Sequence, residues 1–109
     1  MVKLIYCINR KPELSVEEFH HYWRETHGPI AARIPGVRRY VQCHVLPELY
    51  AGDRPPAYDG AAELWFDDLE SLRQAFRSPE VLAARENEAE FIDHSRSFLI
   101  VTEEKPVVE

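Results

Sequence analysis

LSVEEFHHYWRETHGP, residues 14–29, decides the fold because it carries the signals for the beginning and the end of one helix. Ser15 and Glu18 have the spacing of a capping box, in which each side chain accepts a hydrogen bond from the other's backbone N–H. Leu14 and Phe19 occupy the two positions of a hydrophobic staple. We therefore predict that a helix begins directly after Ser15.

The same stretch contains a stop signal. Glycine readily takes the left-handed backbone that ends many helices, and proline lacks the N–H needed to continue one. We predict that the helix ends near His27, that Gly28 is left-handed, and that a short helical turn follows over residues 30–34.

Four other segments have the alternation and the β-branched and aromatic residues typical of strands. They are VKLIYCIN (2–9), GVRRYVQCHVL (36–46), YDGAAELWF (58–66) and SRSFLIVTE (95–103). Asp67 is expected to cap a second helical region, and Ser78 and Pro79 divide it and open a helix that ends near Ile92. The order β-α-β-β-α-β predicts a single α+β domain over residues 1–109, ferredoxin-like, with helices on one face of a four-stranded antiparallel sheet.

The more apolar face of each strand is expected to meet the helices. This choice turns Cys43 of the second strand toward the helices and Cys7 of the first strand away from them. The two thiols should therefore not pair. The uncovered face would carry polar and aromatic side chains of the middle segments: Tyr40, Gln42, His44, Asp59, Glu63 and Trp65. These side chains would share one cavity.

The uncovered face would also be strongly apolar. Its members would include Ile5, Cys7, Tyr40, Trp65, and either Leu99 with Val101 or Phe98 with Ile100. Such a patch is too apolar to remain in water on a monomer. We therefore predict a homodimer that packs sheet against sheet and encloses a space.

Composition narrows the possible partners. The 109 residues are 45% hydrophobic and 29% charged, an ordinary globular balance, and the net charge of −6 argues against nucleic acid and anionic membranes. No apolar run approaches the roughly 20 residues of a membrane span, and we expect no signal peptide. Two cysteines without metal-ligand spacing predict a cytoplasmic protein with free thiols.

His27 is the leading candidate for chemistry. A helix C-terminus favours a charged imidazole, whereas shielding by Trp23 favours the neutral form, so His27 could titrate where acid–base catalysis needs it. The alternative interpretation is a structural histidine that bonds the last helix carbonyls. A metal site is not predicted, because His20 and His27 lie about 10.5 Å apart along the helix at ~1.5 Å per residue.

Other residues have two interpretations as well. His44 and Glu63 are either catalytic or ligand-binding groups, or partners in the dimer interface. Tyr40 and Trp65 are expected to form walls of the cavity. Tyr22 is expected to pack, although its hydroxyl could reach the rim of the cavity, and His94 is expected to cap a turn or to stand at the cavity mouth.

KPELSVEEFHHYWRETHGP, residues 11–29, resembles the signature of EthD-type proteins in the dimeric α/β-barrel superfamily. The segments VKLIYCINRK, YDGAAELWFDDLE and FIDHSRSFLIVTEE also fit the family. The resemblance implies a ferredoxin-like subunit that dimerises through its sheet. It also implies relatives tied to ether degradation and cofactor-free enzymes acting on polyketide-like and lactone substrates. His27 matches the family's recurrent histidine.

Three functional hypotheses follow. The first is a cofactor-independent enzyme that moves a proton next to the carbonyl of a hydrophobic cyclic, aromatic or polyketide-like metabolite, as an isomerase, a dehydratase or cyclase, or a monooxygenase-like enzyme. His27 or His44 would be the acid–base group, and the substrate would meet a further set of side chains: Tyr22, Trp23, Tyr40, Gln42, Glu63 and Trp65. The second hypothesis is a non-catalytic metabolite-binding dimer. The third is a haem-binding oxidase with His27 or His44 as axial ligand.

Overall fold

The computed structural model describes residues 1–108. Its strands are β1 (Val2–Ile8), β2 (Arg39–His44), β3 (Gly60–Phe66) and β4 (Phe98–Thr102). Its α-helices are α1 (Val16–Tyr22), α2 (Gly28–Ala31), α3 (Leu69–Phe76) and α4 (Pro79–Glu88). A π-helical turn, Trp23–His27, joins α1 to α2, and 3₁₀ turns cover Pro47–Ala51 and His94–Arg96.

The four strands form one antiparallel sheet in the order β2-β3-β1-β4. Together with the β-α-β-β-α-β succession, this order is that of the ferredoxin-like fold, so the predicted fold class is confirmed. Leu4 and Ile8 of β1 are buried against Phe19 and Phe91 of the helical layer, which covers one face of the sheet. The other face has no helix over it.

The beginning of α1 follows the sequence signals. Ser15 accepts from the backbone N–H of Glu18 at 3.0 Å, and the Glu18 carboxylate accepts from the backbone N–H of Ser15 at 2.9 Å. The capping box is therefore confirmed. Because the capping box begins the helix at this residue, the Phe19 side chain points into the core, where it is fully buried.

The predicted end of the helix is wrong. Gly28 has right-handed dihedrals, φ −49° and ψ −52°, and the helical path continues into α2. Pro29 cannot donate a hydrogen bond, and its ring would clash with a carbonyl one turn earlier in a regular α-helix. The wider π turn avoids this clash, and in it the Gly28 N–H donates to the carbonyl of Trp23.

The face assignment of β2 is also wrong. Tyr40 pairs with the buried Leu64 and His44 with the buried Gly60, so Tyr40, Gln42 and His44 face the helices. Cys43 lies on the uncovered face instead.

Hydrogen bonding and stacking explain why the more polar face of β2 is the inner one. The Gln42 side chain donates to the carbonyl oxygen of Trp23 at 2.9 Å, and the His44 ring stacks on the Trp23 indole with centroids 4.2 Å apart. The π turn therefore supplies hydrogen-bonding and stacking partners for the polar side chains of β2. The pattern of apolar residues alone assigns these side chains to the outward face.

The second helical region begins one residue later than predicted, because Asp68 rather than Asp67 accepts from the backbone N–H of Ser71. Ser78 caps α4 and Pro79 opens it, as predicted. Helix α4 ends at Glu88 rather than near Ile92. Among the described residues, no helix is both long and apolar enough to cross a membrane.

The uncovered face of the sheet carries residues of all four strands: Lys3, Ile5, Cys7, Arg39, Val41, Cys43, Ala61, Glu63, Trp65, Phe98, Ile100 and Thr102. We call this set the open face. Phe98 and Ile100, rather than Leu99 and Val101, point outward there, with 61% and 58% of their surface exposed.

The two cysteines both lie on the open face, contrary to the prediction that they face opposite sides. Each pairs with Ala61, one from either side of β3, and both are free thiols. Two strand spacings, about 10 Å, separate them, which is too far for a disulfide.

Candidate active site

A cavity of about 200 Å³ lies between the sheet and the helices that cover it. Its walls are mainly apolar: Leu4, Ile8, Ala62, Leu64, Val81, Ala84 and Ile92. A few polar side chains also line it: Tyr6, His27, Tyr40, Arg85, Glu88 and His94. An apolar hollow with a few polar groups is the usual form of a small-molecule site. It lies on the opposite side of the sheet from the predicted cavity.

His27 reaches this cavity from the π turn. Its Nδ1 lies 2.9 Å from Oδ1 of Asn87, whose Nδ2 donates to the Tyr22 hydroxyl at 2.8 Å. Because Asn87 presents its oxygen, Nδ1 of His27 must carry the ring proton. The other nitrogen, Nε2, is then the unprotonated one in the neutral ring, so His27 can accept a proton at that atom.

Burial sets the charge of His27. His27 is 5% exposed, and its ring centroid lies 4.9 Å from that of Phe91. Burial lowers the pKa of His27 below its usual 6.5, while the Asn87 hydrogen bond and the Glu88 charge act in the opposite direction. The expected helix-end effect does not apply, because the helix continues past His27. The neutral, basic form therefore prevails at neutral pH.

Tyr40 lines the same cavity from β2. Gln42 donates one amide hydrogen to the Trp23 carbonyl and the other to the Tyr40 oxygen, at 2.9 and 2.8 Å. Tyr40 thus accepts from Gln42 and keeps its own hydrogen for another acceptor. Burial raises the pKa of Tyr40, so the phenol remains a donor at neutral pH.

A third polar group of the cavity surrounds Glu88 of α4. Its Oε1 lies 2.9 Å from Nε2 of His94 and accepts a long hydrogen bond, 3.4 Å, from the Tyr6 hydroxyl. Burial and the Glu88 charge raise the pKa of Tyr6, which keeps that phenol protonated. A carboxylate and a phenol therefore stand together at this part of the cavity.

His44 belongs to a different cluster. Its Nδ1 lies 2.7 Å from Nδ1 of His20, and the other His20 nitrogen lies 3.0 Å from the Tyr50 hydroxyl. Tyr50 donates to Asp59 at 2.7 Å, and Asp59 is buried in an ion pair with Arg10. His44 does not line the cavity that His27 and Tyr40 share.

The remaining predicted site residues are divided between the two sides of the sheet. Trp23 forms a wall of the cavity, and the Tyr22 hydroxyl holds Asn87 behind His27. Glu63 and Trp65 lie on the open face. Lys3 joins them there, with Nζ 2.8 Å from Glu63 and 4.6 Å from the Trp65 ring centroid.

Asn87, Glu88 and Tyr6 were not identified as candidates from the sequence. A signal for the first two does exist, since they lie on the helical stripe that also carries the buried Ala84 and Phe91. Polar residues on a buried stripe require partners, and these two find theirs at the cavity. Tyr6 occupies the inward face of β1, where the sequence predicts only packing.

Solved structures of similar fold include dimers and an enzyme. A dimeric protein from Bacteroides fragilis with a ferredoxin-like fold has a TM-score of 0.65 and 21% identity, covering 94% of each chain. SnoaB from Streptomyces nogalater, a cofactor-independent oxygenase, has a TM-score of 0.64 and 17% identity, covering 99% of this chain and 97% of its own. At these identities the likeness concerns the fold alone.

Closer similarity exists to EthD proteins. The EthD domain model matches residues 11–95. An EthD family protein from Bacillus halodurans has a TM-score of 0.77 and 29% identity, covering 96% of this chain and 99% of that one. An uncharacterized 11.0 kDa protein of Rhodococcus erythropolis is 32% identical over 88 residues, 79% of this chain and 81% of the relative. The EthD model thus spans most of the sequence, including the segment around His27, and the chain belongs to the EthD domain family.

Proposed function

We propose that the protein is a cofactor-independent enzyme that removes a proton from carbon next to the carbonyl of a small cyclic ketone or lactone. The observation that carries this proposal is the fixed tautomer of His27. A buried neutral imidazole with its proton held on Nδ1 by Asn87 offers Nε2 as a general base in an apolar cavity.

The Tyr40 hydroxyl is suited to the substrate carbonyl. Removal of the proton places negative charge on the carbonyl oxygen, and a phenol that already accepts from Gln42 can donate to that oxygen. The apolar walls keep water from competing for this hydrogen bond. The protonated Nε2 of His27 can then return a proton to carbon, and Glu88 with Tyr6 and His94 provides a second acid–base group at the same cavity.

The size of the cavity supports a single-ring substrate. An apolar cavity of about 150 Å³ is known to hold benzene, so about 200 Å³ accommodates one substituted ring. A fused polyketide exceeds this volume, which makes monocyclic ketones and lactones the first compounds to test.

The experiment is proton exchange in heavy water. Purified protein is incubated with a panel of monocyclic ketones and lactones, and deuterium entering the carbon next to the carbonyl is followed by NMR. Exchange well above the buffer rate for at least one compound is the expected result. Compounds that raise the melting temperature without exchanging would contradict the proposal and favour a non-catalytic binding protein.

The exchange rate is expected to depend on the charge of His27. Only the neutral ring can accept a proton, so the rate should fall as the pH drops through the pKa of His27. Because burial lowers that pKa, the fall should have its midpoint below 6.5. A pH profile measured with one exchanging compound tests this, and a midpoint at or above 6.5 would exclude His27 as the base that controls the rate.

We also propose that the open face forms a homodimer, as the dimeric neighbours of the same fold support. Ile100→Lys is expected to shift the protein from dimer to monomer at micromolar concentration, because it places a charge beside the apolar side chains of Ile5 and Phe98 in the interface. Sedimentation velocity measures the change. Leu82→Lys is the matched control, since Leu82 on α4 is also 58% exposed but lies away from the open face. Equal behaviour of the two variants would rule out this interface.

The proposed proton transfer uses side chains alone, so neither haem nor a metal enters it. A cytoplasmic location remains a prediction from the sequence.

A further inference from the structure

The cluster around His20 forms one continuous chain of hydrogen bonds. It runs from Asp59 through Tyr50, His20 and His44 to Gln42, and its successive contacts are 2.7, 3.0, 2.7 and 2.8 Å long. Gln42 continues it to the Tyr40 hydroxyl at the cavity. Each contact requires one hydrogen between its two heavy atoms, so the number of hydrogens that the side chains must supply is fixed.

The orientation of the Gln42 side-chain amide is determined by its surroundings. Its Nε2 donates to the carbonyl of Trp23, which cannot itself donate, so the amide oxygen must face His44. The hydrogen of that contact therefore belongs to Nε2 of His44. In a neutral His44 ring, Nδ1 is then an acceptor toward His20.

Three contacts remain, from His44 Nδ1 through His20 and Tyr50 to Asp59. Neutral His20 supplies one hydrogen and Tyr50 supplies one. Asp59 supplies none, because it is a carboxylate that accepts from the guanidinium and the backbone N–H of Arg10, both at 2.7 Å. Two hydrogens cannot complete three hydrogen bonds, so the chain is complete only with one additional proton.

We propose that His20 takes up this additional proton as the pH falls, and that the resulting imidazolium is a positioning residue for Gln42 and Tyr40. Nδ1–H of His20 donates to His44, and Nε2–H donates to Tyr50, which in turn donates to Asp59. The consequence for Tyr40 rests on the proposed function, whereas the location of the proton does not.

The surrounding charges favour His20 over His44 as the carrier. Burial lowers the pKa of His20 below its usual 6.5, the Asp59 carboxylate acts in the opposite direction, and Arg10 adds to the lowering. Burial first, then the nearby His20 and Arg24, together lower the pKa of His44 to about 4, with no carboxylate opposing them. Only His20 therefore has a nearby negative charge that compensates for protonation.

The chain of hydrogen bonds should be weakened as the pH rises. Below the pKa of His20 all its hydrogen bonds are made, and as the pH rises through that pKa one of them loses its hydrogen. Gln42 is then held less firmly, and the environment of its side-chain amide should change with the same midpoint as His20.

The test is a pH titration of the histidine ring nitrogens by long-range proton–nitrogen NMR on the full chain. We expect His20 to take up a proton at higher pH than His44, with His44 remaining the Nε2–H tautomer. The Gln42 side-chain amide signals should follow the His20 midpoint. Uptake by His44 first, or Gln42 signals that ignore the titration, would overturn the proposal.

Tyr50→Phe sharpens the test. Without the Tyr50 hydroxyl, neutral rings supply enough hydrogens for every remaining contact, so the midpoint of His20 should fall by on the order of one pH unit. Tyr58→Phe is the control, since Tyr58 precedes Asp59 in the sequence but its hydroxyl is not part of the chain of hydrogen bonds. An unchanged His20 midpoint in Tyr50→Phe would also overturn the proposal. No substrate is used, so the outcome is separate from that of the exchange assay.

Discussion

Gly60→Ala is expected to lower the free energy of unfolding by about 3 kcal/mol or more, at the upper end of overpacking effects. A Cβ at this position would lie 2.5 Å from the Cys43 carbonyl oxygen and 2.5 Å from Cζ3 of Trp23. The carbonyl belongs to the β2–β3 ladder, and Trp23 is 1% exposed within the core, so neither can move cheaply.

Urea denaturation followed by circular dichroism measures this loss. Gly52→Ala is the matched control, because its added Cβ would meet only the Leu49 carbonyl at an ordinary 3.8 Å. That variant should unfold within about 0.5 kcal/mol of the wild type, as surface substitutions usually do. If both glycine variants unfolded at the same urea concentration as the wild type, that result would contradict the close contact between Gly60 of β3 and Trp23.

His27→Gln is expected to lower the exchange rate of the best substrate at least a hundredfold, since a positioned general base contributes on the order of 10²–10⁴. Glutamine can still bond to Asn87 and fill much of the space beside Phe91, but its amide does not accept a proton near neutral pH. The loss should therefore appear in the rate rather than in the binding of the ligand.

His21→Gln makes the same change on the exposed side of α1, at a residue that does not line the cavity. Its exchange rate should equal that of the wild type, and both variants should keep the wild-type circular dichroism spectrum. Full activity in a folded His27→Gln protein would remove this residue from the mechanism and direct attention to Glu88.

The sequence alone was sufficient wherever a signal acts over a few residues. The capping box at Ser15, the Ser78–Pro79 start of α4 and the alternation of β1 predict their elements correctly, because each depends on backbone hydrogen bonds or on one buried face. Combined in order, they predict the ferredoxin-like sheet. His27 was also identified in advance, although the reason given for its pKa differs from the one that the structure supplies.

The site itself depended on contacts that no local pattern contains. Which face of β2 turns inward was decided by partners such as the Trp23 carbonyl at the start of the π turn, which accepts from the Gln42 side chain as well as from the Gly28 N–H. Asn87 meets His27 across 60 residues of sequence, and that contact selects the tautomer.

The sequence by itself thus determined the elements, their order and the presence of a histidine beside the core. Only the tertiary structure decided which side of the sheet holds the cavity and which nitrogen of His27 is basic. The physical reason is that a buried polar group must find a partner, and its partner comes from whichever distant segment folding brings within hydrogen-bond distance.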